Sequence, residues 1–161
     1  MAAFGRRIVM LVLLGFAFSV LAADNAVQFT GHWKLQPEQS EIHPGSQWVT
    51  DQLDVRLTGR LLELTEKQSF GADEDLIRRE NKSLMLPSSR LTKGRVETVT
   101  RWNNGALVER SSFMIGKSRQ RVVVQLELTD PDTLIRTTTV RQLEKGRWIV
   151  VLYQREFFGR S

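Results

Sequence analysis

From Gln47 to the C-terminus the chain repeats one unit, a run of alternating apolar and polar residues closed by a tight turn, and this repeat restricts it to antiparallel β architecture. Leu53, Val55 and Leu57 alternate with Gln52, Asp54 and Arg56, and Val122, Val124, Leu126 and Leu128 alternate with Val123, Gln125, Glu127 and Thr129. Successive side chains of a strand point to opposite faces, so each such run offers one face to a core and one to water. The turns are Thr58-Gly59-Arg60, Asn103-Asn104-Gly105, Gly116-Lys117-Ser118, Asp130-Pro131-Asp132 and Glu144-Lys145-Gly146. Asn and Gly suit the left-handed backbone of a short hairpin turn. Further strands are expected near 62–64, 76–80, 96–102, 106–115, 133–143 and 148–158, the last apolar on both faces. Residues 81–94, with Pro87, paired serines and Gly94, are the least regular stretch and read as a mobile flap or a short edge strand.

This amounts to about eight to ten antiparallel strands spaced roughly 10–12 residues apart, with no helical period among them. A sandwich and an up-and-down barrel both fit such a list. Sandwiches need long crossing connections, which short turns do not supply, so the expected fold is all-β, an up-and-down meander closed into a barrel. Closure also removes the edges that a long meander would expose to other chains.

Ahead of this domain stands a different kind of segment. Arg6 and Arg7 precede an apolar run from Ile8 to Leu21, and the small residues Ala22 and Ala23 follow. That order is the layout of a secretory signal peptide, too short and too abruptly followed by polar residues for a spanning anchor. The expected organisation is therefore a signal peptide over 1–23 and one domain over 24–161, located in the periplasm or secreted and without a membrane span after cleavage. The chain contains no cysteine. Disulfides, thiolate catalysis, thiolate metal sites and a lipid anchor on cysteine are thereby excluded, and a domain of about 140 residues can rely on its own core.

The net charge of +5 becomes +3 once Arg6 and Arg7 leave with the leader. Basic and acidic residues alternate along the strands, as a solvated face would have it, so nucleic acid is not an expected partner, while attraction to an anionic envelope surface or ligand stays open. Chemistry-bearing clusters are scarce. His32 and His43 lack the spacing of a metal pair, Ser111-Ser112 lacks the glycines of a nucleophile elbow, and Asp73-Glu74-Asp75 lacks the ligand pattern of a calcium loop. No catalytic residue, metal or cofactor is assigned, and binding is favoured over catalysis. Arginine outnumbers lysine, and Arg101, Arg110, Arg121, Arg136, Arg141 and Arg155 fall inside strands. Any that point inward could meet an anionic head group bidentately, or pair with a carboxylate such as Glu127 or Glu156.

The start of the mature chain reads Phe29-Thr30-Gly31-His32-Trp33-Lys34-Leu35, followed by Gln36-Pro37-Glu38-Gln39-Ser40, and its end carries Tyr153-Gln154-Arg155. Gly-x-Trp-Lys-Leu, a Pro-x-x-Ser turn and a closing Tyr-x-Arg resemble small secreted bacterial lipocalin-like barrel proteins of the calycin type. Thr129-Asp130 is followed by Pro131 where lipocalins proper have tyrosine. The resemblance implies that the first and last strands are neighbours and that Arg155 stacks on Trp33 above Gly31 to close one end of the barrel. It also implies a lumen for a small apolar or amphipathic ligand, an anionic or lipid-like one included, with Val55, Leu64, Val124, Leu126, Arg136 and Tyr153 as candidate contacts. The alternative is a non-enzymatic envelope structural or interaction protein with a solid barrel core.

Overall fold

The computed structural model describes residues 26–46, 48–70, 73–103 and 105–161. The expected leader, 1–23, lies outside the described residues. Ten strands follow one another: β1 (Gly31–Leu35), β2 (Trp48–Thr58), β3 (Leu61–Phe70), β4 (Asp73–Met85), β5 (Ser88–Lys93), β6 (Val96–Asn103), β7 (Ala106–Ile115), β8 (Ser118–Asp130), β9 (Thr133–Glu144) and β10 (Arg147–Arg160). They form one antiparallel sheet in the order β4-β3-β2-β1-β10-β9-β8-β7-β6-β5, which curls into a nearly closed barrel. The only short helical element between described strands is a 3-10 turn at Pro37–Gln39.

The meander follows from the turns. Gly116, at φ 58°, supplies the left-handed residue between β7 and β8, and the hairpin closes from Ile115 opposite Ser118 down to Ala106 opposite Glu127. The first and last strands are neighbours, with Trp33 opposite Arg160 and Leu35 opposite Phe158. Beyond β1 the chain keeps climbing along β10. Gln36 N–H donates to Phe157 O at 2.8 Å, Phe157 N–H donates to Ser40 Oγ at 2.9 Å, and Glu41 and Arg155 exchange backbone bonds.

Residues 81–94 take the edge-strand alternative and not the flap. Instead of a flap after a short strand over 76–80, β4 runs on to Met85 and β5 begins at Ser88. The register of β4 against β3, from Ile77 opposite Ser69 to Met85 opposite Leu61, pairs the backbone along the whole segment. Along β4 the alternation is weak because the inward positions Arg78, Glu80 and Lys82 are charged, and the face turns apolar only at Leu84. β4 and β5 are the two edges of the sheet. Leu86 N–H donates to Arg60 O and Trp102 N–H donates to Pro87 O, both at 2.9 Å, which ties the seam between them at one end.

Antiparallel order gives the barrel two ends. The turns β2–β3, β6–β7 and β8–β9 lie at one, called the base, and the turns β5–β6, β7–β8 and β9–β10 at the other, called the mouth. The main core fills the base half: Trp33, Leu53, Val55, Leu62, Leu64, Leu84, Leu86, Leu107, Leu126, Leu134 and Phe158 are buried together. Each contributes on the order of 1.5–3 kcal/mol by leaving water.

Candidate functional site

The base is sealed from below by the residues before β1. Ala26 and Phe29 are buried in the core, Phe29 meets Trp102 edge to face, and Trp33 Nε1 donates to Phe29 O at 2.9 Å. The cation over the Trp33 indole is Arg160, its Cζ 4.4 Å from the ring centroid. Arg160 also donates to Gln28 O, Thr30 O and Pro131 O at 2.9–3.0 Å. The expected partner, Arg155, points the other way and lies over Phe157 on the outer wall. Strand alternation explains the correction: residue 155 has the parity of the outward face, residue 160 that of the inward one. Gly31 performs the expected service for a different reason. A Cβ there would stand 2.7 Å from Arg160 Nη1, so the glycine makes room for the guanidinium.

Above the apolar base lies a belt of charge. Arg136 grips Glu156 bidentately, Nε to Oε2 at 2.6 Å and Nη2 to Oε1 at 2.8 Å, and reaches Glu66 Oε2 with Nη1 at 2.7 Å. Thr50 Oγ1 and Gln68 Nε2 also donate to Glu66 Oε2, at 3.1 and 3.0 Å. Lys82 Nζ stands 3.5 Å from Glu109 and 3.9 Å from Glu66. Glu156 is 0 % exposed. Burial opposes the charge on Glu66, but the Arg136 and Lys82 charges and the hydrogen bonds from Arg136 and Thr50 outweigh it, holding its carboxyl below the usual range. Burial likewise opposes the charge on Arg136, and its bonds to Glu156 and Glu66 prevail, so it stays protonated. Among the described residues a small cavity of about 20 Å³, room for about one water, opens in this belt between Leu64, Glu66, Lys82, Glu109, Val124 and Arg136.

The mouth half differs from the base. Cross-strand register places Val122 opposite Val140, Val124 opposite Thr138, and Leu152 opposite Val140, all with the inward parity of Arg136 and Glu156. These five residues are only half-buried. A side chain that faces the lumen of a barrel and still meets solvent does so because the lumen is open. Ser111 and Thr98, hydrogen-bonded to each other at 2.8 Å, continue the same wall.

Of the six expected ligand contacts, Leu64, Val124, Leu126 and Arg136 come together around the small cavity. Val55 is 2 % exposed in the packed base, and Tyr153 is 47 % exposed on the outer wall. Of the six strand arginines only Arg136 faces inward, and both its carboxylate partners are protein side chains. Glu156, which the sequence reading offered as a carboxylate partner for a strand arginine, is the one Arg136 takes, whereas Glu66, Lys82 and Glu109 were missed. Their signal was parity: Leu62, Leu64, Glu66 and Gln68 share one face, as do Phe158, Glu156 and Gln154, and both switch from apolar to polar at the same height.

The outer wall has a concavity of its own, about 800 Å³, lined by Arg101, Arg110, Arg121 and Arg141 with Val99, Val108 and Val123 between them. Arg121 stands directly opposite Arg141 and covers the Trp148 ring at 4.7 Å. On the β1–β2 side His32 Nδ1 contacts Asp54 Oδ1, and the His43 ring accepts from Gly45 N–H at 3.0 Å. Among the described residues no three His, Asp or Glu side chains are grouped to hold a metal ion.

No protein-family model matches the chain, and no curated protein does. Solved structures do. The S-type phycobiliprotein lyase CPES from Guillardia theta superposes with a TM-score of 0.55 at 10% identity, over 89% of this chain and 97% of that one. The structure titled EF1p2_mFAP2b bound to DFHBI aligns at a TM-score of 0.42 and 8% identity, over 86% of this chain and 98% of that one. The likeness to the lyase extends over nearly the whole of both chains and establishes the fold: the described domain is a lipocalin-like barrel.

Proposed function

We propose that this chain is an exported binding protein that takes a small apolar or amphipathic molecule into the mouth half of its barrel. The observation that carries the reading is the half-exposure of Val122, Val124, Thr138, Val140 and Leu152 although they face the lumen. Lipocalin-like barrels of this strand number are wide enough for one small ligand above a filled base. Export is supported by Arg6, Arg7, the apolar run Ile8–Leu21 and Ala22-Ala23. The open lumen speaks against a barrel packed solid along its axis.

The polar end of the ligand would meet Lys82 and Glu109 at the floor. The inward charges between the packed base and the rim, among the described residues, are Arg78, Lys82 and Arg136 against Glu66, Glu80, Glu109 and Glu156. With carboxylates in excess and Arg136 spent on two of them, a neutral or cationic head group fits better than an anionic one. The test is a fluorescence titration with the neutral apolar probe N-phenyl-1-naphthylamine. Saturable binding should be weakened at least about tenfold by Val140→Trp, which fills the open half. A probe that does not bind, or that binds Val140→Trp as well as the native chain, would overturn the reading.

A further inference from the structure

The two ends of the barrel differ in surface chemistry as much as in packing. On the β5–β10 side, the three turns at the mouth and their flanks carry Lys93, Arg95, Lys117, Arg119, Lys145 and Arg147 against Glu97 and Glu144, and Glu97 has its own partner in Arg90 at 3.3 Å. The turns at the base carry Arg60, whose Nε donates to Leu86 O at 2.9 Å, against Asp130 and Asp132. Large apolar side chains follow the same division. Leu91 at 63 %, Met114 at 49 %, Ile115 at 57 %, Ile149 at 39 % and Val150 at 55 % exposure all stand beside the mouth turns. Only Val27 and Met85 are comparable at the base. Behind this rim, three to four residue pairs down the hairpins, Arg121 faces Arg141 across the outer sheet. Like charges directly opposite each other cost stability unless something anionic lies over them.

Apolar tips ahead of a belt of cations are what an anionic bilayer accommodates, the tips below the head groups and the guanidiniums among them. We infer that the β5–β10 side of the mouth docks this barrel on an anionic lipid surface, so that the open lumen faces the membrane. The inference deepens the binding reading by naming where an amphipathic ligand comes from. Its assay reads surface partitioning and not occupancy of the lumen, so either can fail alone.

The exported form should co-sediment with vesicles of phosphatidylcholine and phosphatidylglycerol and not with vesicles of phosphatidylcholine alone. Reversing Lys117, Arg119 and Lys145 to glutamate should lower that partitioning about 100-fold or more. The same charge change at the base half, Lys34→Glu with Arg56→Glu and Arg101→Glu, should cost far less. Since the chain has no cysteine, a nitrobenzoxadiazole fluorophore on Ile115→Cys reports the rim and one on Thr58→Cys reports the base. Only the rim label should shift to the blue on anionic vesicles. Absence of vesicle binding, equal losses in the two triple variants, or a blue shift at the base label alone would each overturn the inference.

Discussion

Replacing Arg136 with methionine removes the one cation that Glu156 contacts. Glu156 has no solvent access, and its two carboxylate oxygens take both of their hydrogen bonds from Arg136. Glu66 is better protected, because Thr50, Gln68 and Lys82 remain. Most of the cost is therefore that of one uncompensated buried carboxylate, about 3–5 kcal/mol. For a domain of this size that corresponds to a fall in Tm of roughly 10–20 °C. The loss should depend on pH. Without the guanidinium, Glu66 loses the strongest of the influences that lower its carboxyl, so the variant gives up less stability as pH falls. The native chain gives up more, because Glu66 is held below its ordinary value and the stability it supplies at neutral pH is lost as pH falls through the lowered value. The gap between the two proteins should shrink from neutral pH toward about pH 4. Adding Glu156→Leu to Arg136→Met should recover most of the loss, since an apolar pair replaces a broken ionic one. Urea denaturation followed by tryptophan fluorescence, at several pH values, measures all three. A loss below about 1 kcal/mol, a gap that does not change with pH, or a double variant as unstable as the single one would refute this account of the belt.

Three smaller substitutions probe the same scaffold. Arg160→Ala removes the guanidinium from Trp33 and three hydrogen bonds to backbone carbonyls; discounted for its partial exposure, the loss should be about 1–2 kcal/mol by thermal unfolding, while Arg155→Ala stays within about 0.5 kcal/mol. Glu66→Gln should flatten the acid limb of the stability curve, with a smaller drop in urea midpoint than the native chain shows as pH falls below 4.5.

The fold was legible because period-2 alternation and turn chemistry agree along most of the chain, as for Val122 to Leu128 between its two hairpin turns. The neighbouring of β1 and β10 followed from the resemblance of the two termini. What failed to come through was parity near irregularities. β10 has a register shift between Val150 and Leu152, which exchanges the faces of every residue beyond it. Tyr153 and Arg155 thus turned outward, and the guanidinium over Trp33 came from Arg160. β4 was legible only over 76–80, because a strand with charged side chains on much of its lumen face shows little hydrophobic alternation. The charged belt was hidden for a related reason. Polar inward residues look like solvated ones unless the strands are aligned, and alignment is a property of the sheet.

The division of the interior into a packed base and an open mouth is tested most directly by methyl-resolved NMR of residues 24–161 titrated with N-phenyl-1-naphthylamine. The structure predicts shift changes at Val122, Val124, Val140 and Leu152, with Leu62, Leu84 and Leu134 unmoved. Perturbation of the base leucines, or of outer-wall valines such as Val99 and Val108 in place of the lumen set, would contradict it.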